Sequence, residues 1–302
     1  MKNYLGMVLV TGLFSTTALA NEVTIEHQMG KTTLSKVPQR VVVIGNGALD
    51  AVDYFGIEPI AVAKASVIPN YLSKYQQAKF VSAGSFFEPD FETIYMQKPD
   101  LIIVGPRAAT KYKELSEIAP TVVFAVDQQQ GYWKSTQQQW RNLGQVFAIS
   151  DKVEQKIEQL DQQFKALHAY NEQHQSDALT VMSSGGNITA FGSESRFEAI
   201  YKDFGFKETV AGLKTGSHGD LVSYEFISKA NPSTLFIIDR DKLVNKGESK
   251  TAQEFNNALI KSTKAFQDKR MTYLDLDAWY LSIAGVTATE QMIADIKKSV
   301  NL

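Results

Sequence analysis

The sequence predicts an α/β protein of two lobes, each with a mostly parallel central sheet, joined by one long α-helix. Three observations carry this expectation. Short apolar runs alternate with amphipathic stretches on both sides of residue 150, the pattern of strand–helix units packed in layers. Between the halves lies "SDKVEQKIEQLDQQFKALHAYNEQ" (150–173), whose apolar residues Val153, Ile157, Leu160, Phe164 and Leu167 fall on one helical face. The chain has 302 residues, room for two domains at roughly 100–200 residues each. The expected division is a leader (1–20), an N-terminal α/β lobe (21–149), a connecting helix (150–173) and a C-terminal α/β lobe (174–302).

The leader, "MKNYLGMVLVTGLFSTTALA", has a lysine near its start, an apolar middle and an Ala18-Leu19-Ala20 ending. This is the pattern of a secretory signal peptide cleaved to leave Asn21 first. Its apolar run is too short to span a bilayer. The chain has no cysteine. That excludes thiolate metal sites, cysteine nucleophiles and a lipid-carrying cysteine, and leaves the core alone to hold the fold. A soluble protein of the bacterial periplasm fits these facts. The formal net charge is −2, so no global basic field points to nucleic acid.

In the first half, "RVVVIG" (40–45), "KFVSAG" (79–84), "LIIVG" (101–105) and "TVVFAV" (121–126) read as strands. "ALDAVDYFG" (48–56) reads as a helix stopped by glycine, and "KYKELSEIAP" (111–120) as one stopped by proline. Ser150 is placed to cap the long helix, with Asp151 and Glu154 at its positive end. In the second half, "ALTVMSSGG" (178–186), "NITAFG" (187–192), "TLFIIDR" (234–240) and "RMTYLDL" (270–276) read as strands. Residues 195–205 and 288–300 read as helices.

One pattern occurs twice. "FETIYMQKPDLIIV" (91–104) and "YEFISKANPSTLFII" (224–238) each place a glutamate, Glu92 or Glu225, seven residues before a proline. An isoleucine follows two residues after each glutamate, and a buried strand follows the proline. Two lobes of like design account for it; chance likeness of two strand–helix units is the alternative.

The chain has six arginines. Arg107, Arg196 and Arg240 each follow a predicted strand closely. In open α/β sheets the ligand crevice lies at the carboxyl ends of the strands, so these three are expected to face one cleft. Guanidinium stays charged, donates in a fork and stacks on aromatic rings, which suits an anionic, planar, oxygen-rich ligand. The alternative is three surface arginines, each paired with its own carboxylate. His218 lies in "KTGSHGDLVSYEF", flanked by Gly216 and Gly219, and Tyr280 follows a strand in "LDLDAWYLSIAGV". By residue type alone, the first reads as a solvated loop histidine or a ligand, the second as core or cleft.

The motifs "ITAFGSESRF", "GSHGDLVSYEFI", "NPSTLFIIDR" and "YLDLDAWYL", with the single helical bridge, resemble the helical-backbone class of periplasmic binding proteins that serve ABC importers. The likeness is to the ferric-catecholate siderophore branch and covers essentially the whole mature chain. The resemblance implies a monomeric carrier, not an enzyme. It would capture enterobactin- or vibriobactin-like ferric siderophores, linear bis-catechol forms included, and deliver them to an inner-membrane ABC permease. It implies no intrinsic cofactor, no nucleic acid and no membrane insertion; Fe(III) arrives as the siderophore complex. It further implies that Arg107, Arg196 and Arg240 face the catecholate oxygens. Glu92 and Glu225 would dock on the permease. His218 and Tyr280 would bind iron directly when a ligand with two catechols leaves coordination positions open, since Fe(III) takes an octahedron of hard donors. Haem or another iron chelate in the same fold is the nearest rival. An exported hydrolase using Ser183 or Ser184 with His218 and Asp220 is a rival of another class. The chain lacks both the G-x-S-x-G elbow and the H-E-x-x-H pattern.

Overall fold

The computed structural model describes residues 22–64, 67–216, 218–245 and 247–302. The expected leader, and Ser217 of the glycine loop, lie outside the described residues.

A hairpin, β1 (Val23–His27) and β2 (Gly30–Leu34), opens the described chain. Sequence reading misses it because only alternate residues such as Ile25 and Leu34 are buried, so no apolar run forms. The first sheet uses β3 (Val41–Ile44), β4 (Ala61–Val62), β5 (Val81–Ser82), β6 (Leu101–Val104) and β7 (Thr121–Val123). Its order is β5-β4-β3-β6-β7 and every pairing is parallel. β3 and β6 sit inside the sheet and are buried at every position, which is why they read as unbroken apolar runs. Its helices are α1 (Asn46–Phe55), α2 (Phe91–Met96), α3 (Tyr112–Ser116) and α4 (Tyr132–Val146).

The connecting helix α5 runs over Ser150–Gln173 and buries Val153, Ile157, Leu160, Phe164 and Leu167, the predicted stripe. Ser150 is its first residue and makes no side-chain cap; the capping position belongs to Ile149. Near its start, Lys152 Nζ donates to the Phe55 carbonyl at the end of α1. Near its end, Asn171 Nδ2 donates to the Phe204 carbonyl of the second half. Between them Phe164 stacks on Trp133 of α4 at 4.5 Å and on Phe204 at 4.6 Å. One aromatic stack therefore ties both halves to the bridge.

The second sheet uses β8 (Asp177–Ser184), β9 (Asn187–Phe191), β10 (Lys207–Glu208), β11 (Asp220–Val222), β12 (Thr234–Asp239) and β13 (Met271–Tyr273). The path is β11-β9-β8-β12-β13, with β10 beside β8. Its β8–β12, β12–β13 and β8–β10 pairings are parallel, but β9 runs antiparallel to β8 and β11 antiparallel to β9. The helix expected over 195–205 shrinks to α6 (Ala199–Lys202). Ser195 is the reason: its Oγ donates to the Gly192 carbonyl and accepts from Phe197 N–H, so the chain enters in a turn. Beyond it come α7 (Tyr224–Ala230) and four short helices, α8 (Asp241–Val244), α9 (Thr251–Glu254), α10 (Ala258–Lys261) and α11 (Lys264–Gln267). The last helix, α12 (Val286–Ser299), packs on α1 and α5.

The repeated motif has a repeated structure. Asp90 caps α2 by accepting from Thr93 N–H, and Ser223 caps α7 by accepting from Phe226 N–H. In each, the exposed glutamate is the second helical residue and the isoleucine two places on is buried. Lys98 and Asn231, each just before the proline, both adopt left-handed backbone, with φ of 48° and 50°. A left-handed residue ends each helix and turns the chain into β6 or β12.

Candidate functional site

A cavity of about 460 Å³ opens between the two halves, within the size range of small-molecule sites. One wall comes from the first half: Gly45 to Ala48 after β3, Gly105 to Arg107 after β6, and Phe124 to Val126 after β7. Arg196, Glu198, Tyr280, Leu281 and Ile283 form the other. The β3 and β6 segments meet closely; a Cβ on Gly45 would lie 2.9 Å from Gly105 Cα.

The structure brings Arg107, Arg196, Arg240 and Tyr280 together, with Arg240 beside Tyr280 but outside the cavity lining. The Arg196 guanidinium carbon stands 4.2 Å from the Tyr280 ring centre and that of Arg240 stands 5.8 Å away. Arg107 is more exposed and lies 5.7 Å from the Phe87 ring centre. Among the described residues no carboxylate pairs with any of the three. Arg240 donates to Ser184 Oγ instead. Glu198, a cavity residue, is engaged by Lys202 at 3.0 Å. The alternative of separately neutralised surface arginines is therefore not what the structure holds.

Electrostatics follow from this packing. Burial lowers the Arg196 pKa, Tyr280 opposes that shift, and repulsion from Arg107 and Arg240 adds to it. Arg196 Nε is buried without a partner in the protein. Burial alone would raise the Tyr280 phenol, yet the guanidiniums of Arg196 and Arg240 bring it below the ordinary tyrosine value. Arg196, repelled by Arg107 and Arg240 and without a carboxylate partner, favours a multiply anionic guest.

The route by which each residue arrives differs. Arg107 and Arg240 follow parallel strands, as the carboxyl-end rule requires. Arg196 follows β9, which runs the opposite way, so the same rule does not account for its place. Tyr280 sits in a π-helical turn, Asp277–Leu281, which follows β13 in the second half but is fastened to the first. Asn70 N–H donates to Asp277 Oδ2 at 2.9 Å. Trp140 Nε1 donates to the Ala284 carbonyl at 2.7 Å. Thr287 and Ala288 N–H both donate to Asp50 of α1 at 2.9 Å, and Tyr71 Oη joins them at 2.8 Å. A Cβ on Gly47 would collide with the Ile283 carbonyl at 2.1 Å, so only glycine permits this approach. Burial pushes Asp50 up to about 6 despite these donors.

His218 stands apart. It is exposed and does not line the cavity. Its loop is nevertheless held beside the site: Gly216 bridges Ser195, and its N–H donates to the Glu194 carbonyl at 2.9 Å. On the other side Gly219, at φ +65°, passes so close that a Cβ would lie 2.5 Å from the Ala190 carbonyl. Glu92 and Glu225 are exposed and lie outside the cavity lining. Sequence reasoning missed Asn46, Phe87, Glu198 and Asp50, none of which belongs to a motif. The adjacent glycines of "GNGA" (45–48) were the available signal.

These features define a two-lobed α/β fold with a cavity between the lobes. A family model described as "Periplasmic binding protein" matches residues 41–278, and the chain belongs to that family. The solved catecholate-siderophore binding protein VctP of Vibrio cholerae is 62% identical, with a TM-score of 0.89 over 92% of this chain and 100% of that one. The petrobactin-binding protein YclQ of Bacillus subtilis is 36% identical, covering 91% of this chain and 87% of the relative. The ferric-anguibactin-binding protein FatB of Vibrio anguillarum is 32% identical, covering 93% and 88%. Among the described residues no helix is long and apolar enough to cross a membrane.

Proposed function

We propose that this chain is a periplasmic substrate-binding protein that captures ferric catecholate siderophores between its lobes and hands them to an inner-membrane ABC permease. The observation that carries this reading is the set of three guanidiniums without carboxylate partners: Arg196 and Arg240 beside Tyr280, and Arg107 near enough to repel Arg196. A catecholate complex of Fe(III) is anionic, planar in its rings and rich in oxygen acceptors. Charge-assisted forks from Arg107, Arg196 and Arg240 meet all three properties. Its likeness to the catecholate-siderophore binding protein VctP, the petrobactin-binding protein YclQ and the ferric-anguibactin-binding protein FatB supports the same reading.

In this reading iron comes as the siderophore complex and the protein supplies no cofactor and no catalysis. Residues 1–20 export the chain, 21–149 and 174–302 form the lobes, and 150–173 hold them. Glu92 and Glu225 dock on the permease, one from each lobe. Tyr280, and His218 swinging in on its glycine loop, complete the iron octahedron when the ligand brings only two catechols. The lowered Tyr280 pKa favours the phenolate that this requires.

The test is a titration of apo protein with ferric catecholates of different denticity, followed through Trp279, the neighbour of Tyr280. Binding with a broad visible charge-transfer band is expected. A Soret band on exposure to haem, with no binding of catecholates, overturns the reading. His218→Ala and Tyr280→Phe are expected to weaken an iron bis-catecholate more than a tris-catecholate. Equal affinities for the bis-catecholate in wild type and both variants rule out direct iron ligation.

A further inference from the structure

Arg196 lines one side of the cavity; the other wall, which also carries Arg107, is different in kind. It begins at the N-terminus of α1, where Gly45, Asn46, Gly47 and Ala48 line the cavity in succession. Helix α1 is ten residues long. Its N-cap Gly45 provides no side-chain cap, and its first turn holds no acidic residue. The first N–H groups of a helix have no partner within it and carry the positive end of the helix dipole. Glycines at 45 and 47 leave this end uncovered by side chains.

A second observation points to a ligand here. Asn46 is only 4% exposed, and its Nδ2 has no hydrogen-bond partner in the protein. A buried amide donor left unpaired destabilises the fold, so its presence at a cavity wall calls for a partner that the protein does not supply. Arg107 apart, the wall around it is apolar or neutral: Ile44, Phe86, Phe124, Tyr132 and Gln128. Asn46 and the helix start offer donors without formal charge.

We propose that Asn46 and the start of α1 form a second subsite, which accepts a hydrogen-bond acceptor on the linker joining the catechols: an amide carbonyl or a carboxylate. This rests on the catecholate reading above. The arginines hold the iron centre by charge. The Asn46 wall reads what connects the catechol rings, and so separates siderophores that present the same iron centre.

Three ferric probes test it: the complex of free catechol, held with excess catechol; a diamine-linked bis(2,3-dihydroxybenzamide); and the same molecule bearing a carboxylate on its linker. Asn46→Ala is expected to lower affinity about tenfold more than for the free-catechol complex, on both linked probes for a carbonyl site or on the carboxylate probe alone for a carboxylate site, the scale of one good hydrogen bond. Apo Asn46→Ala is expected to melt at or above the wild-type temperature, because an orphaned donor has been removed. Asn46→Asp, which adds negative charge, separates the two chemistries: loss confined to the carboxylate probe identifies a carboxylate site, and equal loss on both linked probes a carbonyl site. Equal loss on all three probes, or a lowered melting temperature with unselective loss, overturns the subsite in favour of a structural role. Wild-type binding of all three probes with no change in Asn46→Ala overturns the subsite alone. Failure of the wild type to bind any probe overturns the catecholate reading and the subsite with it.

Discussion

The two lobes agree on their outer helices and disagree in the cleft. On α2 and α7 the same device appears twice: a capping side chain, an exposed glutamate at the second helical position, a buried isoleucine and a left-handed residue before proline. Inside the cleft the lobes share almost nothing. The first presents a helix start, glycines and one exposed arginine. The second presents Tyr280 and the partly buried Arg196 guanidinium over its ring, with Arg240 5.8 Å from the ring centre just outside the lining. A docking task that asks the same of each lobe tolerates a repeated element. A cargo with a charged centre and an uncharged periphery requires unlike walls. The difference teaches that lobe symmetry has been kept only where both lobes are proposed to do the same thing.

The largest test concerns what the lobes share. Phe164 of α5 touches Trp133 and Phe204, so Phe164→Ala is expected to cost about 3–5 kcal/mol. Denaturant unfolding is expected to remain one transition with a lowered midpoint. Two separated transitions would mean that the lobes fold independently and that α5 is only a tether.

Next is the asymmetry of the arginines. Arg196→Ala is expected to weaken ferric catecholate binding most, by about 1.5–3 kcal/mol for a charge-assisted contact in a partly buried setting. Arg107, the most exposed of the three, is expected to matter less. Titrations ranking Arg107→Ala above Arg196→Ala would reverse the comparison.

Asp50 tests how firmly the Tyr280 turn belongs to the first lobe. Its folded pKa, about 6, lies above the ordinary value of 3.8 because it is buried. A raised carboxyl pKa contributes stability below the unfolded pKa and loses it as pH rises through the folded one. Asp50→Asn lacks that loss. The melting temperature of the variant relative to wild type is therefore expected to rise between pH 4 and pH 7, by an amount worth up to about 3 kcal/mol. A difference that stays flat with pH would show that Asp50 is not the titrating latch.

The smallest effects belong to the repeated glutamates. Glu92→Ala and Glu225→Ala are expected to leave melting temperature and ligand affinity nearly unchanged, as exposed substitutions do. Uptake through the permease is expected to fall for both. A loss of affinity in either variant would move that glutamate from docking to cargo.

Much of this molecule is local and therefore legible. β3, β6 and β12 are buried at every position and β8 along its centre, so each reads as an apolar run. The stripe of α5 reads off its 3.6-residue spacing, and Arg107 and Arg240 read off their places after parallel strands. The β1–β2 hairpin was not legible, because half of each strand faces solvent. α6 was overread, because Ser195 bonds its own neighbourhood and starts a turn where helical spacing continues.

Apolar periodicity and residue chemistry by themselves determined two α/β halves, one bridge, and the arginines, tyrosine and histidine worth watching, since those signals lie within a few residues of each other. The tertiary structure alone decided the rest. It reversed β9 and still brought Arg196 over Tyr280, and it left His218 exposed at the rim. It tied the Tyr280 turn to Asn70 and Asp50, more than 200 positions away. It also left the Asn46 amide buried and without a partner. Such outcomes depend on which distant surfaces meet, and no window of sequence contains both sides of the contact.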